Sequence, residues 1–315
     1  MASGLGIALF SSAVFGLSGS FAKALLETGW TPGAAVTARL TGAALILAIP
    51  AAVALRGRWH QLSENWLTIL LFGLIGVAAC QLFYFNAVAR LSVGVALLLE
   101  YLAPVIIVLW LWAASRNRPR PLTIAGTLLS LGGLILVLDL TGSVKIDVGG
   151  VLWGIAAAVC LAIYFFITAK ENDTLPPMVL ASGGLMVGAA VMWLLAATGL
   201  LPMAFSTADT KLGPWLTPWW IPLGGLILMA TVLAYVSGIM AARALGSKVA
   251  SFVSLTEVLF AVIWAWLLLG ELPGPIQLLG GLLIVGGVVL VRVDELRGVA
   301  LPAPLDHAND VEPVP

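Results

Sequence analysis

The chain has 315 residues, 61% of them hydrophobic and 10% charged, and its 15 basic and 15 acidic side chains cancel to a formal net charge of zero. Mean hydropathy is +1.09; soluble domains carry roughly 25% charged residues, and a surface in water cannot be covered with so few. The apolar runs are long and do not alternate, so the composition specifies an all-α polytopic membrane protein and excludes a soluble domain and a β-barrel.

A span needs about 20 predominantly apolar residues. Such runs fall at 4–26, 33–55, 66–89, 92–114, 122–139, 148–168, 177–199, 216–242, 248–269 and 275–292, ten in all. The breaks between them hold Gly, Pro, Ser or charge, the usual punctuation. Met1 to Phe10 has no basic residue and the first run continues well past it, so that run reads as the first span and not as a cleaved leader. Trp215, Trp219 and Trp220 near the start of run 8 read as an interfacial anchor. Residues 294–315 hold Pro302, Pro304, Pro313, Pro315, Asp306, Asp310 and Glu312, which predicts a disordered cytoplasmic tail.

Orientation follows from the basic residues. With the N-terminus inside, the cytoplasmic segments hold ten (Arg56, Arg58, Arg116, Arg118, Arg120, Lys170, Arg243, Lys248, Arg292 and Arg297). The outer segments hold three, Arg90, Lys145 and Lys211. That bias predicts cytoplasmic N- and C-termini; the location expected is a plasma (inner) membrane.

The second half repeats the first. At an offset of 154, Leu91, Val95 and Ala96 meet Leu245, Val249 and Ala250; Trp110 and Trp112 meet Trp264 and Trp266; Pro119 and Pro121 meet Pro273 and Pro275; Gly126, Gly132 and Gly133 meet Gly280, Gly286 and Gly287. Matched Trp, Pro and Gly at one ungapped offset indicate an internal duplication. The expected organisation is a first five-helix repeat over 1–146, a second over 147–293, and the tail. Five is odd, so the second copy enters the membrane from the opposite side. Such inverted repeats recur in secondary transporters, where they permit two mirror-related access states around a midplane site. The bland alternative is duplication as scaffold only.

Charges at membrane depth are costly and usually face a cavity or a partner. Glu100 and Glu257 lie about 12 to 15 Å along runs 4 and 9 at 1.5 Å per residue, near the midplane. In repeat terms they are one helical turn apart, each half giving one acid to the same region. Glu100 reads as a site for a substrate ammonium or as a proton relay, against an acid satisfied by neighbouring hydroxyls. Glu257 reads as a coupling or a structural acid. Ser12, Gly16, Ser20, Lys23 and Glu27 form one stripe on run 1, whose Gly16 favours close helix packing. Lys23 and Arg39 sit near the outer ends of runs 1 and 2. Each either snorkels to the headgroups or supplies a cation to a substrate carboxylate or to Glu27. The four tyrosines, Tyr84, Tyr101, Tyr164 and Tyr235, all lie within runs, and buried hydroxyls need partners. Their spread over both halves suits an aromatic-lined cavity. Gln81 is the repeat equivalent of Tyr235, which turns runs 3 and 8 inward. The candidate substrate-binding set is therefore Tyr84, Glu100, Tyr101, Tyr164, Tyr235, Lys23 and Gln81. The glycines crowding runs 5 and 10 read as scaffold packing. Cys80 and Cys160 lie inside apolar runs and suggest no disulfide.

No metal cluster, P-loop, dinucleotide fingerprint or catalytic constellation is present in the sequence, and no basic stripe suggests nucleic acid. No cofactor, metal or catalytic residue is expected. Without a nucleotide-binding motif, transport would run on a gradient or by facilitated diffusion.

With ten spans in two five-helix repeats, Glu257 in LTEVLF, Leu269-Gly270-Glu271 ending run 9, Pro104 in YLAPV and the Gly-rich runs, the chain resembles the drug/metabolite transporter superfamily. Within it the chain resembles EamA-type exporters, closest to YddG-like aromatic amino acid exporters. Two positions depart from the pattern: Val258 follows Glu257 where Pro is common, and Ser115-Arg116-Asn117 stands where the second repeat has Leu269-Gly270-Glu271. The resemblance implies a basket of helices around a central cavity and export of small amphipathic metabolites or toxic compounds. The resulting expectation is a secondary exporter of amino acids or similar metabolites, preferring aromatic or bulky neutral side chains. An exporter of drugs or cationic compounds is the alternative within transport. A membrane-embedded enzyme or lipid-handling protein is the alternative outside it. Oligomeric state is not legible.

Overall fold

The computed structural model describes residues 2–88, 90–91, 93–116, 118–138, 147–170, 175–270 and 272–299. Glu271 and residues 300–315, both named by the sequence reading, lie outside that set. Ten transmembrane helices order the described residues. They are α1 (Ala2–Leu26), α2 (Pro32–Ala54), α3 (His60–Leu71 continuing through Phe72–Ala79 and Cys80–Val88), α4 (Val93–Glu100 and Ala103–Ser115) and α5 (Pro121–Val137). In the second half come α6 (Val148–Ala169), α7 (Pro177–Ala197), α8 (Trp220–Ile227, Leu228–Leu233 and on to 245), α9 (247–254 and Thr256–Leu269) and α10 (Pro275–Val299). Eight stretches are long and apolar enough to cross a bilayer, and Pro121–Val137 and Thr256–Leu269 are shorter apolar helices. The fold is an all-α polytopic membrane bundle.

Helix ends follow local chemistry. Thr31 caps α2 by accepting the Ala34 N–H at 3.3 Å ahead of Pro32, and Asp147 caps α6 by accepting the Gly150 N–H at 2.7 Å. The chain passes from α8 to α9 at Gly246, whose φ of 76° and ψ of 163° only glycine adopts without strain. The repeat-equivalent residues Arg116 and Gly270 both end their helices in the left-handed conformation, with φ of 57° and 77°. The sequence departure at Ser115-Arg116 therefore changes the residue and not the geometry, at a cost of roughly 1 kcal/mol for a side chain there.

The two halves pack through each other. α1 lies on α8 and α9, and its equivalent α6 lies on α3 and α4; α2 pairs with α7, and α5 with α10. Exchanging the halves maps this set onto itself, as an inverted duplication requires. The α5–α10 contact shows it atom by atom. A β-carbon at Gly126 would stand 2.7 Å from the Gly287 carbonyl oxygen, and one at Gly280 would stand 2.6 Å from that of Gly133. Gly126 is equivalent to Gly280 and Gly133 to Gly287, so this is one antiparallel contact seen twice. Such an approach leaves no room for side chains.

Irregularities repeat as well. α3 and α8 carry π-helical turns at Phe72–Ala79 and Leu228–Leu233, which the offset superposes. α4 is interrupted at Tyr101-Leu102 and α9 at Leu255, within one residue of equivalence.

Two features differ from expectation. The 200–219 segment forms a hairpin, Thr210–Leu212 against Trp215–Thr217, with Leu212 opposite Trp215 and Gly213 at φ 59° in the turn. Gly213-Pro214 supplies the positive φ and then the fixed negative φ of a tight hairpin turn. The segment closes the end of the bundle. Trp30 Nε1 donates to the Ser206 carbonyl at 2.7 Å and Thr31 Oγ1 to that of Pro202 at 2.9 Å. The expected tail is also corrected at its start, since α10 continues to Val299. Asp294 is buried and accepts from Thr123 Oγ1 at 2.5 Å, and Glu295 is ion-paired with Lys248. These partners satisfy the acids and hold the last turns against α5 and α9.

Candidate functional site

The two mid-helix breaks have different local causes. In α4, Pro104 has no N–H to offer the Glu100 carbonyl, and the ladder tightens so that Leu102 N–H bonds to Leu99 at 3.1 Å. In α9 the equivalent position is Val258, whose N–H bonds to Leu255 at 3.3 Å. There the hydroxyls of Ser251, Ser254 and Thr256 donate to the carbonyls of Lys248, Ser251 and Val253 at 2.8, 2.7 and 2.7 Å. Back-bonded hydroxyls compete with the ladder and bend helices. The break thus survives without the proline.

Each break carries one of the acids. Glu100 ends the first half of α4, and Glu257 lies in the first turn of the second half of α9. Both are half-buried. Glu100 Oε1 accepts from Cys80 Sγ on α3 at 3.3 Å. The Tyr101 hydroxyl is within hydrogen-bonding reach of Glu257, a link from the break of one repeat to that of the other. The acids are close enough for their charges to interact. α1 backs this region: a β-carbon at Gly16 would meet the Ala261 nitrogen at 2.8 Å, and Trp264 Nε1 donates to the Ala13 carbonyl at 2.7 Å.

The tyrosines gather here. Tyr164 and Tyr235 meet edge-on with ring centres 6.2 Å apart, and Phe72 lies 5.5 Å from the first and 6.4 Å from the second. Phe15 of α1 sits 5.3 Å from Tyr235. All four tyrosines are within electrostatic reach of Glu257, and Tyr84, Tyr101 and Tyr235 also of Glu100. Gln81 is half-buried beside Cys80 on α3. The structure therefore brings together Tyr84, Glu100, Tyr101, Tyr164, Tyr235 and Glu257.

Lys23 is not brought in: it is exposed in the last turn of α1. The interior cation is Arg39, buried on α2 with 7% of its surface exposed. Of the two sequence alternatives for Arg39, the structure removes snorkelling. The composition of run 2 carries no signal for this, because α2 is apolar on every side and periodicity cannot show which face turns inward.

A separate cavity of about 370 Å3 opens where α4 and α10 end, lined by Trp112, Arg118, Arg120, Lys248, Asp294 and Glu295. Its acids are engaged, Glu295 with Lys248 and the Asp294 carboxylate with the Thr123 hydroxyl, and Arg120 Nη1 donates to the Asp294 backbone carbonyl at 3.2 Å. None of the candidate site residues lines it. Among the described residues no group of His, Cys, Asp and Glu is placed to hold a metal ion.

Inverted repeats whose equivalent helices break beside half-buried acids are the architecture of many secondary transporters. Residues 2–139 and 148–293 match the EamA-like transporter family. The chain belongs to that family, and the two matched segments correspond to the two repeats. It is 28% identical to the "Uncharacterized inner membrane transporter YicL" of Salmonella typhimurium over 74% of this chain and 75% of that protein. It is 27% identical to the "Threonine/homoserine exporter RhtA" of Escherichia coli K12 over 82% and 81%. It is 29% identical to the "Probable terminal-alkyne amino-acid exporter" of Streptantibioticus cattleyicolor over 81% and 82%. One crystal structure shares the fold with a TM-score of 0.75, covering 96% of this chain and 100% of that one at 20% identity.

Proposed function

We propose that the protein is a secondary transporter that exports amino acids, preferring aromatic or bulky neutral side chains, by alternating access around the two helix breaks. The observation that carries this is that the equivalent helices of the two repeats each break beside an acid, Glu100 at the α4 break and Glu257 at the α9 break, with Glu100 Oε1 accepting from Cys80 Sγ at 3.3 Å. Glu100 would meet the substrate ammonium directly or through water, and the Tyr84, Tyr101, Tyr164 and Tyr235 rings would meet its side chain. Glu257 would act in coupling or hold the α9 break. The amino-acid class is supported by the names of two relatives, one for threonine and homoserine and one for terminal-alkyne amino acids. The aromatic preference is supported by the ring cluster on this chain.

An aromatic contact adds roughly 0.5–1.5 kcal/mol beyond area burial, or up to about tenfold in rate or affinity. Selection is therefore broad, with threonine carried more slowly than phenylalanine. Tyr101→Ala and Tyr164→Ala are each expected to lower phenylalanine and tryptophan flux several-fold more than threonine flux in proteoliposomes. The ratio within one preparation cancels differences in yield. An equal fall of all three would refute the aromatic cavity.

Two half-buried acids also suit a cationic drug, the second reading; cationic compounds moving through the intact protein while amino acids do not would select it. The orientation proposed is both termini in the cytoplasm of the inner membrane, on the ten-to-three basic bias among the loops. Reporter fusions at the C-terminus should report the cytoplasm, and an outside signal would defeat the orientation.

A further inference from the structure

The transported zwitterion has a carboxylate, and the chain holds a cation for it that the ring of tyrosines and acids does not include. Arg39 is buried on α2, and Arg has five N–H donors and no acceptor. Its Nη1 donates to Ser18 Oγ of α1 at 2.9 Å, and its Nε has no partner. No acid lies within salt-bridge distance of it among the described residues. A buried cation with so little compensation is costly, and more so in a membrane. Such a residue persists where a ligand completes it.

The space beside it has the size and walls for one group. A cavity of about 70 Å3 is bounded by Arg39 together with Ala22, Val36, Phe85 and Leu226, from α1, α2, α3 and α8. Water takes about 30 Å3 in the liquid, so the cavity admits a carboxylate or a few waters but not a whole amino acid. The remaining walls are apolar, so the guanidinium is the one charged donor facing an entering anion. A guanidinium fork matches a planar carboxylate with two parallel hydrogen bonds. Arg39 is also within electrostatic reach of Glu100, Glu257 and Tyr235.

We propose that Arg39, with Ser18 holding one arm of its fork, binds the α-carboxylate of the transported amino acid in this cavity while the ammonium lies toward Glu100. The proposal rests on the amino-acid reading above and names the residue that separates an amino acid from the amine that lacks its carboxylate. Ser18 is a positioning residue that fixes the fork.

The test compares phenylalanine with phenethylamine, which keeps the ring and the ammonium. Counterflow is measured in proteoliposomes of the full chain, wild type, Arg39→Gln and Arg39→Lys. The wild type is expected to move phenylalanine at least about tenfold faster than phenethylamine, the scale of a charge-assisted hydrogen bond. Arg39→Gln should bring the two rates together by losing phenylalanine and sparing phenethylamine. Arg39→Lys should restore part of the phenylalanine flux, which a packing role would not. If Arg39→Gln lowers both substrates in proportion, the inference is overturned and the amino-acid reading stands. If the wild type moves phenethylamine and no amino acid, the amino-acid reading falls first and this one with it. Should Arg39→Gln not fold, the wild type alone decides: thermal stabilisation by phenylalanine and not by phenethylamine supports the site, and equal stabilisation by both overturns it.

Discussion

Glu100→Gln is expected to leave the protein folded and to lower phenylalanine flux by about ten- to a hundredfold. The isosteric amide keeps the volume at the end of the first half of α4 and can still meet Cys80 Sγ, whose partner is Glu100 Oε1 at 3.3 Å. What it loses is the negative charge, and a hydrogen bond to a charged group is worth roughly 1.5–3 kcal/mol. Glu257→Gln should behave differently. Its carboxylate lies in the first turn of a helix segment and within hydrogen-bonding reach of the Tyr101 hydroxyl of the other repeat; the weaker amide acceptor gives up part of a bond worth roughly 0.5–1.5 kcal/mol. That variant should lower thermal stability measurably as well as flux. Transport at the parental rate by Glu100→Gln would remove the acid from the mechanism.

The second large effect is on stability. Gly133→Leu and Gly280→Leu are each expected to destabilise the detergent-solubilised protein by about 3 kcal/mol or more, since overpacking alone costs typically 1–3 kcal/mol. Here the obstacle is backbone. A β-carbon at Gly280 would lie 2.6 Å from the Gly133 carbonyl oxygen, and neither helix can yield without opening the α5–α10 contact. Gly132→Leu is the control one residue away, with nothing within 4 Å of the position its β-carbon would take. It should melt within a degree or two of the parent. Equal losses at Gly132 and Gly133 would mean that close approach of the two backbones does not set the requirement for glycine.

The ten spans, the duplication and its inversion were legible because they rest on composition and on residues with few substitutes. Trp, Pro and Gly matched at one offset, and a single parity argument turned the second half over. The acids at the two helix breaks stood out in the sequence because charge is costly in lipid. The glycine-rich helices read as packing, though the sequence could not tell Gly132 from Gly133; that needs the azimuth of α5. The π-helical turns at Phe72–Ala79 and Leu228–Leu233 left no composition cue, since a slipped ladder uses the same apolar residues as a regular one. The α9 break was hidden for a related reason. Val258 stands where Pro104 stands in the first half, and the work passes to the hydroxyls of Ser251, Ser254 and Thr256. The hairpin at Thr210–Thr217 is too short to show a period of two. The turns after Val293 read as tail because the apolar run ends there and a segment rich in Pro and acids follows, and the partners that hold them, Thr123 and Lys248, lie on other helices. Lys23 and Arg39 looked alike in sequence. Burial separates them, and burial depends on which side of a uniformly apolar helix faces its neighbours.

The most direct test of transport around the paired breaks is counterflow of radiolabelled phenylalanine into liposomes holding the purified wild-type protein and loaded with unlabelled phenylalanine. A transient accumulation of label above the external level, abolished by omitting the internal substrate, is the predicted result. No accumulation of phenylalanine or of threonine, with cationic compounds accumulating in the same vesicles, would contradict it.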